Sequence, residues 1–95
     1  MAAVTGCTTY GVTPTLGRKF LLVKTPATAD SNDTIDVSSS AVTGGEVLTT
    51  SVDWVVVWDT TTGDVVTATV SGTTITIDAA GGTTNHTYSV LVAGI

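Results

Sequence analysis

The chain has 95 residues, eight carboxylates against three basic side chains, a formal charge of −5, one cysteine and one histidine. That length holds a single domain, and the acidic balance argues against nucleic acid, whose phosphates need a basic face. A lone cysteine rules out an intrachain disulfide and no His/Cys cluster offers a zinc site, so no metal, cofactor or catalytic residue is expected.

Forty-one residues are threonine, valine or isoleucine. Such side chains are stiff at χ1 and pack well on a pleated surface, which predicts an all-β fold. A domain this small has a thin margin over conformational entropy. With neither disulfide nor metal to staple it, a homo-oligomer or a docked state is expected.

The N-terminus, Met1-Ala2-Ala3-Val4-Thr5-Gly6, lacks the basic segment and apolar core of a secretory signal. No apolar run approaches the roughly 20 residues of a membrane span, so a soluble product made in the cytoplasm, without a membrane partner, is expected. Residues 1–17 read as an N-terminal arm or first edge strand, with Tyr10 and Val12 as possible anchors, and residues 18–95 as one β-domain. The first buried strand is Phe20-Leu21-Leu22-Val23, which Pro26 stops near Thr25. Arg18, Lys19 and Lys24 flank it. They decorate an edge strand against edge-to-edge pairing, or form a basic patch that meets an acidic neighbour.

Residues 27–33 form a polar loop, Ile35 and Val37 mark a short strand, and residues 38–45 form a second loop. Asp30, Asn32, Asp33 and Asp36 bunch the oxygen ligands a hard cation takes. The glycine and bidentate glutamate of an EF-hand are missing, so these are read as solvated loop residues. Residues 41–50 contain Gly44-Gly45 and lack a 3.6-residue period, so no helix is expected.

Residues 50–94 carry the strongest pattern and predict a C-terminal four-strand antiparallel meander. Val52, Trp54, Val56 and Trp58 alternate with Asp53, Val55 and Val57, so this strand reads as central and covered on both faces. At least one tryptophan is expected in the core, with Trp58 the better candidate for a contact. Val66, Ala68 and Val70 form the inward face of the next strand, Ser71-Gly72 make a two-residue hairpin, and Ile75 and Ile77 face inward on the third. Tyr88, Val90 and Val92 alternate with Ser89, Leu91 and Ala93 on the last. Six or seven short strands predict a small antiparallel β-sandwich of immunoglobulin-like type or a β-barrel.

Little in the chain points to chemistry. Cys7 reads as a small buried apolar group and His86 as a loop residue, although a Cys7-His86-Asp arrangement is conceivable. Both asparagines, Asn32 and Asn85, open Asn-x-Thr triplets of the kind glycosylated in secreted proteins.

The order of features resembles the small decoration or minor head proteins of tailed bacteriophages and related archaeal viruses. The likeness runs through Gly17-Arg18-Lys19-Phe20-Leu21-Leu22-Val23 and the Thr28-Ala29-Asp30-Ser31-Asn32-Asp33-Thr34-Ile35-Asp36 loop. It continues in Ser71-Gly72-Thr73-Thr74-Ile75-Thr76-Ile77 and in the ending Tyr88-Ser89-Val90-Leu91-Val92-Ala93-Gly94. It implies a non-enzymatic protein, made in the host cytoplasm, that decorates or cements the capsid exterior by binding the major capsid protein or copies of itself. Tyr10, Val12, Arg18, Lys19, Lys24 and Trp58 are the interface candidates. An immunoglobulin-like adhesion or carbohydrate-binding module is the alternative, followed by a subunit of an extracellular filament joined by strand exchange.

Overall fold

The computed structural model describes residues 3–11, 19–27, 29–30, 32–78 and 85–95. The β-branched composition yields seven strands: β1 (Thr8–Gly11), β2 (Lys19–Lys24), β3 (Thr34–Asp36), β4 (Val52–Asp59), β5 (Asp64–Ser71), β6 (Thr74–Asp78) and β7 (Tyr88–Gly94). They lie in the order β1-β2-β7-β4-β5-β6-β3, with antiparallel pairing throughout. The sheet curls because β5 changes partner along its length. Its first residues pair with β4 through Trp58↔Val65 and Val57↔Val66, and from Thr67 onward it pairs with β6.

The N-terminal segment meets both edges of this sheet. Ala3 forms a parallel bridge to Thr34 on β3, where the Val4 N–H also donates to the Thr34 carbonyl at 2.8 Å. Seven residues later the same segment is β1, paired antiparallel with β2 as Tyr10↔Leu22. The three-residue edge at β3 is thereby covered, one of the ways a sheet avoids pairing with foreign strands.

Inside the curl, alternate positions of each strand converge on one core. Leu21, Val23, Ile35, Val57, Ile75, Ile77, Tyr88, Val90 and Val92 are all buried there, and Val66 and Ala68 pack against it. Cys7 joins this core as the apolar filler expected, and β2 ends at Lys24, just before Pro26 as expected. Val70 shares the parity of Val66 and Ala68 but stays exposed beside the turn to β6.

Three details differ from the sequence reading. The C-terminal strands are not a consecutive meander: β4, β5 and β6 follow one another, but β7 returns to lie on the far side of β4, a Greek-key order. The reason is burial. β7 is apolar at both parities and needs a strand on each side, which β2 and β4 supply. A single helical turn, α1 (Ser40–Thr43), stands in the expected second loop. Gly44 ends it in the left-handed conformation, and a Cβ there would fall 1.9 Å from the Cys7 carbonyl oxygen. The β5-β6 hairpin closes on Gly72-Thr73, one residue later than expected, with Gly72 at φ +62° in the first turn position.

Removing volume from this core should cost far more than removing it from the surface. Ile75→Ala is expected to lose about 2–5 kcal/mol of unfolding free energy, whereas Val65→Ala, at a side chain 78% exposed, should stay within about 0.5 kcal/mol. Urea unfolding of the two variants measures the difference, and comparable losses would contradict this core.

Candidate functional site

Directly paired residues of an antiparallel sheet point to the same face, so the ladder registers define the outside of the curl as well as its core. The inward rungs are Leu21–Val92–Val55 and Val23–Val90–Val57–Val66. The outward rungs are Phe20–Ala93–Trp54, Tyr10–Leu22–Leu91–Val56 and Thr8–Lys24–Ser89–Trp58–Val65. This outer face is therefore almost wholly apolar. It holds four of the five aromatic residues of the chain. Lys24 is the sole charged side chain on these three rungs, and exposed Asp53, in the bulge beside Trp54, stands at their margin.

Tyr10 is 51% and Trp54 47% exposed, while Phe20, Leu22, Val56, Trp58 and Leu91 are half-buried against one another. Contiguous exposed apolar surface of this kind marks an interaction site. The other layer contrasts with it: the outward rungs of β5 and β6 are Thr67–Asp78, Thr69–Thr76 and Ser71–Thr74, hydroxyls and a carboxylate.

Several expectations are corrected here. Neither tryptophan is a core residue, because the inward positions of β4 are Val55, Val57 and Asp59. Trp54, rather than Trp58, is the more exposed of the pair. A bulge between Val52 and Trp54 explains the change. Strict alternation would put these two on one face, but the extra residue, Asp53, leaves Val52 packed against the core and turns Trp54 outward.

The basic patch also divides. Lys19 and Lys24 sit at opposite ends of β2 with opposite parity, and Lys19 Nζ lies 3.6 Å from Glu46 Oε2. That pair is solvent-exposed, so it adds little stability. Nor is β2 an edge strand, since it lies between β1 and β7. Arg18 and Val12 lie outside the described residues. Of the interface candidates, Tyr10, Lys24 and Trp58 come together on the outer face.

The polar residues serve the loops, Asp59 at the end of the sheet where β5 and β7 begin and Asp36 at the opposite end beside the Gly72-Thr73 turn. Asp59, buried at the end of β4, accepts from His86 Nδ1 at 2.5 Å and from the backbone N–H groups of Thr61 and Thr62 at 2.8 and 3.3 Å. Burial alone would raise the Asp59 carboxyl, but these donors together outweigh it and hold the carboxyl below the usual range. Asp36 is likewise lowered, by the hydroxyl and N–H of Ser38, with Thr73 adding to them against some burial.

In the acidic loop, Asp33 Oδ2 accepts from the Asp30 N–H and Asp30 Oδ1 from the Asn85 N–H. The carboxylates thus hold the chain, as turn residues do, and among the described residues no three metal-ligating groups converge. Cys7 makes no hydrogen bond to His86, and burial pushes its thiol up to about 11, far from the thiolate form. Both asparagines are exposed with left-handed backbone, φ +73° at Asn32 and +58° at Asn85, a conformation that favours asparagine for steric reasons alone.

Sequence reasoning missed the His86–Asp59 pair, which joins residues 27 positions apart. It also missed Phe20, Leu22, Trp54, Val65 and Leu91 as surface. Their signal was present, since β2, β4 and β7 are apolar at both parities, but it was read as two-sided burial within one chain. Comparison with family models, curated proteins and solved structures found no match.

Because the folded Asp59 and Asp36 carboxyls lie below their ordinary value, the stability they contribute is complete above about pH 4 and is lost as pH falls through the lowered folded values. Denaturant midpoints should hold from neutrality to about pH 5 and then decline. Asp59→Asn should start lower and decline less steeply. A midpoint unchanged down to about pH 2 would contradict this assignment.

Proposed function

We propose that this chain is a non-enzymatic structural protein of a virus particle, made in the host cytoplasm and carried on the virion exterior, where it decorates or cements the capsid. Its partners on this reading are the major capsid protein and further copies of itself. The observation that carries it is the nearly uncharged apolar face formed by the outward rungs of β1, β2, β7, β4 and the start of β5. The viral setting is supported by the resemblance in the segments beginning at Gly17, Thr28, Ser71 and Tyr88.

The physics suits a protein that sits between other protein and water. One outer layer is threonine-rich and polar, the other aromatic and aliphatic. A small β-domain with its core already packed brings little ordering entropy to association, and repetition around a shell multiplies weak contacts. Among the described residues the surface has no pocket, so the face suits another extended surface. The exposed rings of Tyr10 and Trp54 also favour the carbohydrate-binding alternative. Sugars, however, need hydrogen-bonding groups beside the rings, and the rungs of this face offer only Thr8, Lys24 and the buried Ser89, with Asp53 at the margin beside Trp54.

Purified virus particles should contain the chain at a fixed stoichiometric copy number. Stripped particles should take up the wild-type protein again, and Trp54→Asp should bind them at least tenfold more weakly while unfolding at the wild-type midpoint. Absence from intact particles contradicts the reading, and retention on immobilised polysaccharide in its place assigns the face to sugar.

A further inference from the structure

We propose that Asn32 and Asn85 are acceptors for N-linked sugar, a paired modification site at the end of the sheet where β3 and β7 begin. They are the chain's only side-chain carboxamides, and each opens an Asn-x-Thr triplet, Asn32-Asp33-Thr34 and Asn85-His86-Thr87. Serine and threonine make up 29 of the 95 residues, so two such triplets arise by chance about one time in ten. The case therefore rests on where the fold puts them.

The two triplets are built alike. In each, the middle side chain turns into the protein and is fastened there. Buried Asp33 accepts from the Asp30 N–H at 2.9 Å, and His86 Nδ1 bonds buried Asp59 at 2.5 Å. The backbone N–H of each asparagine is engaged as well, that of Asn32 by the Ile77 carbonyl at 2.6 Å and that of Asn85 by Asp30 Oδ1 at 2.7 Å. The asparagine side chains are left outside. Both are exposed, and among the described residues neither carboxamide makes a hydrogen bond. Left-handed backbone explains asparagine at these positions, yet glycine or aspartate would meet it too, and the local side-chain hydrogen bond that asparagine usually gains there is not made. A carboxamide held clear of the fold is one that a transferase can reach.

The two loops form one surface. Ala29 bridges His86, whose N–H donates to the Ala29 carbonyl at 2.9 Å. Asn32 stands just before β3 and Asn85 just before β7, so both acceptors lie beyond the ends of the ladders and off the apolar rungs. A bulky, hydrated sugar there shields the loops and leaves the outer face bare.

The donor is a sugar activated through a phosphate ester at its anomeric carbon, carried on a nucleotide or on a membrane lipid. Asparagine Nδ2 forms the new bond to that carbon while the bond from the carbon to the phosphate oxygen breaks. The phosphate leaves with the electron pair, and the amide gives up one proton to the transferase's base. No oxidant or reductant is needed. The threonine two residues on is the recognition element and is not consumed.

The chain purified from the cells or particles that produce it should weigh more than its sequence, and peptide mapping by mass spectrometry should place the added sugar on Asn32 and Asn85. An increment of one sugar identifies a nucleotide donor, and that of a preassembled oligosaccharide a lipid donor. Asn32→Asp and Asn85→Asp keep a residue that tolerates the left-handed backbone but lack the amide. Each, expressed in the same cells, should lose one increment and retain the other. Thr87→Ala should abolish the sugar on Asn85, and Thr87→Ser should keep it.

No sugar at one or both asparagines, sugar confined to serine and threonine hydroxyls, or sugar on Asn85 that persists in Thr87→Ala overturns the proposal. The wild-type map is read without any variant, so a variant that fails to fold leaves the test intact. The outcomes also separate from those of the functional reading. A glycosylated chain absent from virus particles defeats only the viral role, and an unmodified chain in intact particles defeats only the acceptor sites.

Discussion

The pairing of β7 between β2 and β4 is the constraint on which the rest of the molecule depends. β7 is apolar at both parities, so it cannot lie at an edge and cannot face water on either side without cost. Its inward set, Tyr88, Val90 and Val92, is fully buried in the core. Its outward set, Ser89, Leu91 and Ala93, forms the middle of the outer face, flanked by the aromatic and aliphatic side chains of β2 and β4. One strand thus serves both the core and the outer face. The Greek-key return of the chain, which brings β7 beside β4 instead of β6, is what places Trp54 and Trp58 next to Phe20 and Leu22 across a single face.

The polar residues support that arrangement from its end. His86 precedes β7 and Asp59 terminates β4, and their hydrogen bond ties the start of one central strand to the finish of its neighbour. The hydroxyl of Thr25, just beyond β2, accepts from the Tyr88 N–H at 2.9 Å on the other side. These groups have structural work in the fold. They hold loops whose backbone groups would otherwise lack partners, and they leave the broad faces of the sheet to side-chain packing.

Much of the fold was legible in the residues. Alternation located β4 to β7, proline placed the end of β2, and the β-branched composition set the class, because all three are local or compositional signals. Partner choice was not legible: alternation says which side chains share a face but not which strand lies beside which, so β7 was expected next to β6. A bulge is invisible to a period of two, and the one at Asp53 altered which residues share a face with Trp54. The structure departs furthest from the sequence at β4, where two apolar faces predict burial within the chain. Among the described residues no element lies over the second face, and its side chains are half-buried or exposed. A polar outer surface of hydroxyls and a carboxylate is confined to β5 and β6.

The central claim is that the outer face is covered when the protein works and exposed when it is alone. Hydroxyl-radical footprinting read by mass spectrometry tests this at individual side chains, comparing dilute protein with protein in its assembled form. The account predicts strong labelling of Tyr10 and Trp54 in the dilute chain and marked protection of both, together with Trp58 and Leu91, on assembly, while exposed Val70 on β5 stays unchanged. Equal labelling of Tyr10 and Trp54 in the two states would contradict it.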